Sequence, residues 1–296
     1  MHHYLWHQVR NGFLFFDAAT QQAIRDMGWE PPRPAQRPAA DGSVETVLDN
    51  DSGEDFLYMH QQMIATVNAT LATVNDPQYP KVQGWNPIPR PGDADYPVPP
   101  VYTSGDDGLD SYLANVKSDN TFNSQFVQWE SDYTNPANLA SWTLGELGAR
   151  LEFTVHNQMH MRWSSPAVPG IRPDVDVAKP DTIDQNWDDP QYNWLGDTYS
   201  SHVHPLFWKL HGWVEDRIED WKRANNVAGE IQWKGTWTGK PAAQPSDGSF
   251  GMMGHMGHGM LDELEHMVRL VARSGHICHF YDDVKLSRTR KAPGQS

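Results

Sequence analysis

A mainly α-helical fold is predicted by two features of the 296-residue chain. Apolar residues recur at three- and four-residue steps in five stretches, which outnumber any convincing strand pattern. Helix start and stop signals frame several of these stretches.

The first helix is expected over 1–29, with Leu5, Val9, Phe13 and Phe16 on one stripe and Gly28 as its stop. Residues 30–54 hold PPRPAQRP and DNDSGED and read as a polar loop. A second helix follows from about Asp55 to Val74, its stripe built from Phe56, Met59, Met63, Val67 and Leu71. Residues 78–108 carry too many Pro and Gly for regular elements. A third helix is expected from Thr143 to about Trp163, because Thr143 and Glu146 have capping-box spacing. A fourth opens at Pro205, since proline suits the first helical position, and runs through LFWKLHGWVEDRIEDWKRA. The last spans about Leu261–Arg273. Residues 164–200 and 226–260 read as further loops, and the whole of 1–296 as one domain with loop insertions.

Charge narrows the function. Lys and Arg number 23 against 38 Asp and Glu, a formal charge of −15. Phosphate contacts need a basic surface, so nucleic acid is not an expected partner, and neither is an anionic membrane. No apolar run approaches the ~20 residues that span a bilayer. The N-terminus shows no signal-peptide pattern, so the cytoplasm is the expected compartment. The single cysteine, Cys278, excludes an intrachain disulfide and a multi-cysteine zinc site. A buried or idle thiol is the expected state of Cys278.

The 14 histidines carry the chemistry. His156 and His160 are four apart on the third helix, so their rings share one face. Such a pair can hold one metal ion. A zinc protease would need Glu directly after the first histidine, and Asn157 stands there. A di-iron bundle needs two Glu-x-x-His motifs, and only Glu263-Leu-Glu-His266 has that spacing, which reads better as a solvated face. His211 lies within the aromatic and apolar fourth helix and can supply a third imidazole. Three neutral imidazoles with an open position suit copper, with zinc as main competitor.

His156, His160 and His211, with Pro205, Phe207 and Trp208 leading to the last, resemble the second copper site of the type 3 copper family. That family comprises tyrosinases, catechol oxidases and hemocyanins, and the bacterial tyrosinases are closest in kind. His204 stands where the family has Asp or Asn, and Leu210 replaces the common first His of a pair. The stretch Phe56-Leu57-Tyr58-Met59-His60 resembles the approach to the third ligand of the first site, with Met59 and Gln61 in place of Trp and Arg. The middle ligand of that site has no histidine at its usual place, since 8–59 contains none. Three readings stand: His3 and His7 both bind, beside His60; a distant histidine such as His255, His258 or His276 folds in; or the first site is degenerate. The first is preferred, because His3 and His7 are themselves four apart.

The resemblance implies a four-helix-bundle core holding two copper ions, CuA at His3, His7 and His60, and CuB at His156, His160 and His211. It implies an enzyme that uses O₂ to hydroxylate phenols at the ortho position and oxidise catechols to o-quinones. The substrate is then a phenolic small molecule or a tyrosine-containing peptide. Glu152, four residues before His156, and Asn157 match the pair that holds a proton-accepting water in tyrosinases. A phenol with pKa near 10 needs such a base. Met161 falls where the family lines its substrate entrance. A hemocyanin-like carrier and a mononuclear copper or zinc protein remain as alternatives.

Four features lie outside this pattern. Met252, Met253, His255, Met256, His258 and Met260 offer soft donors for Cu(I), or form a plain flexible loop. Phe280 and Tyr281 are candidates for plugging the site. Glu215 and Asp216 are candidates for orienting imidazoles through their outer nitrogens. The basic residues Lys285, Arg288, Arg290 and Lys291 read as a solvated tail.

Overall fold

The computed structural model describes residues 2–104, 107–165, 195–196, 198, 201–239 and 258–274, the side chains of 258–261 excepted. The described residues are mainly helical, with one two-stranded sheet. The elements are α1 (His2–Gly12), α2 (Ala18–Asp26), β1 (Gln36–Pro38), β2 (Val44–Thr46), α3 (Ser52–Val74), α4 (Asp107–Val116), α5 (Asp119–Thr121), α6 (Val127–Thr134), α7 (Pro136–Ser141), α8 (Leu144–Leu151), α9 (Asn157–Arg162), α10 (Pro205–Ala224) and α11 (His258–Arg273). A wide π-helical turn joins α5 to α6 at Phe122–Phe126, and another joins α8 to α9 at Glu152–His156.

The expected helix over 1–29 is three pieces. After α1, a 3-10 turn at Phe13–Phe15 ends in extended backbone at Phe16. Asp17 then starts α2 afresh, its side chain accepting the Thr20 N–H. The stripe of apolar residues ran through this break because Phe13 and Phe16 are still buried. α1 is not amphipathic in effect. Every residue from His3 to Gly12 is buried, the polar His3, His7, Gln8, Arg10 and Asn11 included. The expected loop over 30–54 contains the β1–β2 hairpin and the first turn of α3. Gly42 turns the hairpin at φ +81°, a backbone state open to glycine. Helices α4 to α7 lie in 107–141, a stretch the sequence pattern left unassigned.

The third helix is found as expected, with one refinement. Thr143 Oγ1 accepts the Glu146 N–H at 3.0 Å, but the Glu146 carboxylate pairs with Arg150 at 2.6 Å instead of closing the box. The π-helical turn at 152–156 inserts an extra residue, and Glu152, Phe153, Val155 and His156 are all buried around it. α10 begins at Pro205 as expected, and His204 caps it by accepting the Leu206 N–H at 3.1 Å.

Two backbone crossings set the helix positions. α3 passes so close to α8 that a Cβ on Gly148 would lie 2.1 Å from the Gly53 carbonyl oxygen. Residues 83–85 strap α10 in the same way: a Cβ on Gly84 would lie 2.3 Å from the Gly212 carbonyl carbon, and the Trp85 N–H donates to Lys209 O. Gly212 follows His211, so this strap holds the turn that carries the histidine. The buried Lys117 ammonium donates to the carbonyls of Arg162 and Ser164, and the Arg162 guanidinium donates to those of Val116 and Ser118. These bonds tie α4 to the end of α9, just past His160.

No described helix is long and apolar enough to cross a membrane.

Candidate metal centre

Four helical segments bring six histidines into one buried cluster. α1 supplies His3 and His7, α3 supplies His60, the π-helical turn and α9 supply His156 and His160, and α10 supplies His211. All six are 7% exposed or less. Neighbouring rings lie close: His3–His7 at 4.9 Å, His7–His60 at 5.5 Å, His60–His156 at 5.7 Å, and His156–His160 at 4.7 Å between centroids. His60 stacks on His211 at 4.4 Å and 7°.

Two groups of three have ligand nitrogens close enough to share an ion: His3, His7 and His60, and His60, His156 and His211. The first is the triad expected from the sequence. The second differs from the expected His156, His160 and His211, because His60 joins it. His160 stays beside the group, its Nε2 only 3.2 Å from His211 Nε2.

The outer nitrogens explain the orientation. His3 Nδ1 meets Thr198 O at 2.7 Å, His60 Nδ1 meets Phe56 O at 2.8 Å, and His160 Nδ1 meets Leu195 O at 2.7 Å. A carbonyl only accepts, so each Nδ1 carries the proton and each Nε2 presents a lone pair. The side-chain oxygen of Asn157 takes the same role for His156 Nδ1, at 2.9 Å. Nε2 of His3 and of His60 is buried without a hydrogen-bond partner, as is Nδ1 of His211. Unsatisfied buried lone pairs are costly, and a bound cation is their natural complement. The donor set is all imidazole nitrogen, which fits copper or zinc.

Burial, reinforced by neighbouring imidazoles, pushes His3, His7, His60, His160 and His211 well below the ordinary histidine pKa. Burial alone pushes His156 down to about 4. Neutral imidazole is the metal-binding form, so the cluster is poised to coordinate at neutral pH.

Glu152 is buried beside this cluster. Arg10 Nη1 donates to both of its oxygens, at 2.6 and 2.7 Å, and Arg10 Nη2 donates to Ser52 O. Glu152 Oε1 also lies 3.8 Å from Nδ1 of the neutral His7, too far for a hydrogen bond. Burial raises the Glu152 pKa, and Arg10 and Asn11 pull it back. Sequence pattern missed Arg10. Its only signal was a basic residue three positions after His7, on the same helix face.

Two expectations are corrected and a third is met. Met161 is 1% exposed and belongs to the hydrophobic core, so it does not line an open entrance. Glu215 accepts from Gln61, and neither it nor Asp216 takes up an outer imidazole nitrogen; backbone carbonyls and the Asn157 side chain do that work. The Glu263–His266 pair sits on α11 with His266 exposed, the solvated face expected of it. His255, His276, Cys278, Phe280, Tyr281, the Met/His segment's side chains and the basic tail lie outside the described residues, as does most of 164–200.

The loop 78–104 lines a cavity of about 500 Å³ with Pro97, Val98, Pro99 and Lys117, and none of the described histidines borders it. Phe207 closes on the cluster instead, its ring 3.9 Å from His211 and 5.6 Å from His3.

No model of a known protein family matches the chain, and no curated protein is significantly similar to it.

Proposed function

We propose that the protein is a type 3 copper oxidoreductase of the tyrosinase kind. The observation that carries this reading is the convergence of six buried imidazoles from four helical segments, five of which form two groups of three with ligand nitrogens close enough to share an ion. In this reading the four segments form the bundle core of the family. His3, His7 and His60 hold one copper ion, and His156, His160 and His211 hold the other. The chemistry the metal pair supplies, when bound, is activation of O₂ for ortho-hydroxylation of phenols and oxidation of catechols to o-quinones.

The chain's own residues do the rest. Carbonyls of Phe56, Leu195 and Thr198 fix the tautomer of three imidazoles, and Asn157 fixes a fourth. Glu152 is the base for the phenol proton in this reading. Burial raises its pKa and so strengthens it as an acceptor, while Arg10 pulls the pKa back and holds the carboxylate beside the cluster. Phe207 and Phe56 pack on the imidazoles and give a dry apolar wall suited to an aromatic ring. The substrate class is a phenol, either a small molecule or a tyrosine in a peptide.

One observation favours a second reading. His60 belongs to both groups of three, and its ring stacks directly on His211. A single copper or zinc ion held by His60, His156 and His211 accounts for that.

Metal analysis with electron paramagnetic resonance separates the two. Two coppers per chain, silent because their spins pair, together with oxidation of phenols support the enzyme. One copper with an ordinary Cu(II) signal and no phenol oxidation would leave the mononuclear reading.

A further inference from the structure

A metal ion has to reach the cluster before it can be held there, and the six histidines are almost closed to solvent. His3 is the most exposed of them, at 7%. One more histidine stands directly outside it. His202, on a 3-10 turn at Ser201–Val203, has its ring 6.2 Å from that of His3 and perpendicular to it. That spacing is slightly wider than the 4.9–5.6 Å between rings of the first triad.

His202 differs from the six in its exposure and shares an unsatisfied buried nitrogen with His3, His60 and His211. It is partly exposed, so it meets solvent. Its Nδ1 is nevertheless buried without a hydrogen-bond partner. An imidazole that reaches solvent, yet keeps a buried nitrogen unsatisfied, is incomplete as a packing element. His2 makes a useful contrast: its Nε2 meets Thr238 O at 2.7 Å and its ring packs on Trp29. That ring is accounted for by structure, and His202 is not.

We propose that His202 is the entry ligand for copper, a transient site shared with His3 that passes the ion inward to the buried triad. This inference rests on the copper reading above. Transfer needs only ligand exchange: a copper–nitrogen bond to His202 breaks as bonds to His7 and His60 form, with His3 bound throughout. No electron or proton is gained or lost, because the imidazoles are neutral. His202 is not a member of either group of three, so the filled site does not need it.

The test is the rate of anaerobic Cu(I) uptake by the metal-free full-length chain, with Cu(I) supplied as its acetonitrile complex. Trp6 lies 4.9 Å from His7, so quenching of tryptophan fluorescence follows arrival. His202→Leu should slow uptake by about tenfold or more, the lower end of the loss seen when supporting residues of metal sites are removed. Its final stoichiometry and affinity should match the parent chain. His202→Met, similar in volume but with a soft donor that suits Cu(I), should take up the ion at nearly the parental rate. Equal rates in all three proteins would overturn the proposal. Equal slowing in the Leu and Met variants would also overturn it, because the residue would then matter for packing alone. A loss of one copper at equilibrium in His202→Leu would make His202 a permanent ligand, and the transfer role would fall. Failure of the parent chain to bind copper would sink the copper reading itself, and is seen before any variant is made.

Discussion

Acidification tests the site without assuming its metal. In the metal-free protein the six cluster histidines are buried and held neutral, with pKa values depressed from 6.5, to about 4 for His156 and well below 6.5 for the others. Unfolding releases them to their ordinary values. Below pH 6.5 the unfolded chain therefore binds more protons than the folded one, and stability falls as pH falls. Their contribution is fully present well above 6.5 and is lost downward through the window toward pH 4. Each buried imidazole costs about 0.7 kcal/mol more at pH 6 than at pH 7, and six together cost about 4 kcal/mol. Another ~3 kcal/mol goes by pH 5.5. Whole-domain stabilities are about 5–15 kcal/mol, so the metal-free chain should be near unfolding at pH 5.5. Urea titrations read by tryptophan fluorescence, in chelator, at half-unit steps from pH 7.5 to 5.5, give the slope. Loading with copper should raise stability by a similar amount at each pH and leave the slope nearly unchanged, because the folded imidazoles carry no protons with or without the metal. A change of less than about 1 kcal/mol between pH 7 and 6 would refute the reasoning, since the cluster would then titrate freely in the folded state.

Four further outcomes are expected. In the dicopper reading His60→Ala and His160→Ala should each cost one copper, whereas in the mononuclear reading His60→Ala removes the single ion and His160→Ala leaves it in place; metal analysis of the purified variants compares them. Glu152→Gln should keep the copper but lose phenol oxidation, and unchanged oxidation would end its role as the base. Arg10→Met leaves Glu152 buried without its ion-pair partner and should cost about 3–5 kcal/mol, read as a lower urea midpoint. Gly148→Ala drives a methyl into the Gly53 carbonyl and should cost about 3 kcal/mol, with a fall in Tm; an unchanged Tm would mean that α3 and α8 are not in backbone contact.

Local chemistry made part of this protein legible from its sequence. His156 and His160 share a helix face because they are four residues apart, and that holds in any helical context. Pro205 starts α10 and Thr143 starts α8 for reasons confined to one turn of chain. The choice of His3, His7 and His60 also came from local spacing and a resembling flank, and all three lie in the cluster. Other features depended on partners far along the chain. That His60 faces His211 follows from how closely α3 approaches its neighbours, which glycine-to-backbone contacts decide. Arg10 finds Glu152 across 142 positions, and no periodicity encodes such a pairing. Met161 went inward because the core, not its neighbour in sequence, claimed it. The outer nitrogens of His3 and His160 are held by carbonyls of Thr198 and Leu195, and every residue type carries a carbonyl. A backbone acceptor leaves no mark in sequence. By itself, then, the sequence determined which residue types stand ready to bind a metal and on which helices they lie. Only the tertiary structure decided which of them meet, because packing against distant segments sets the distances between rings.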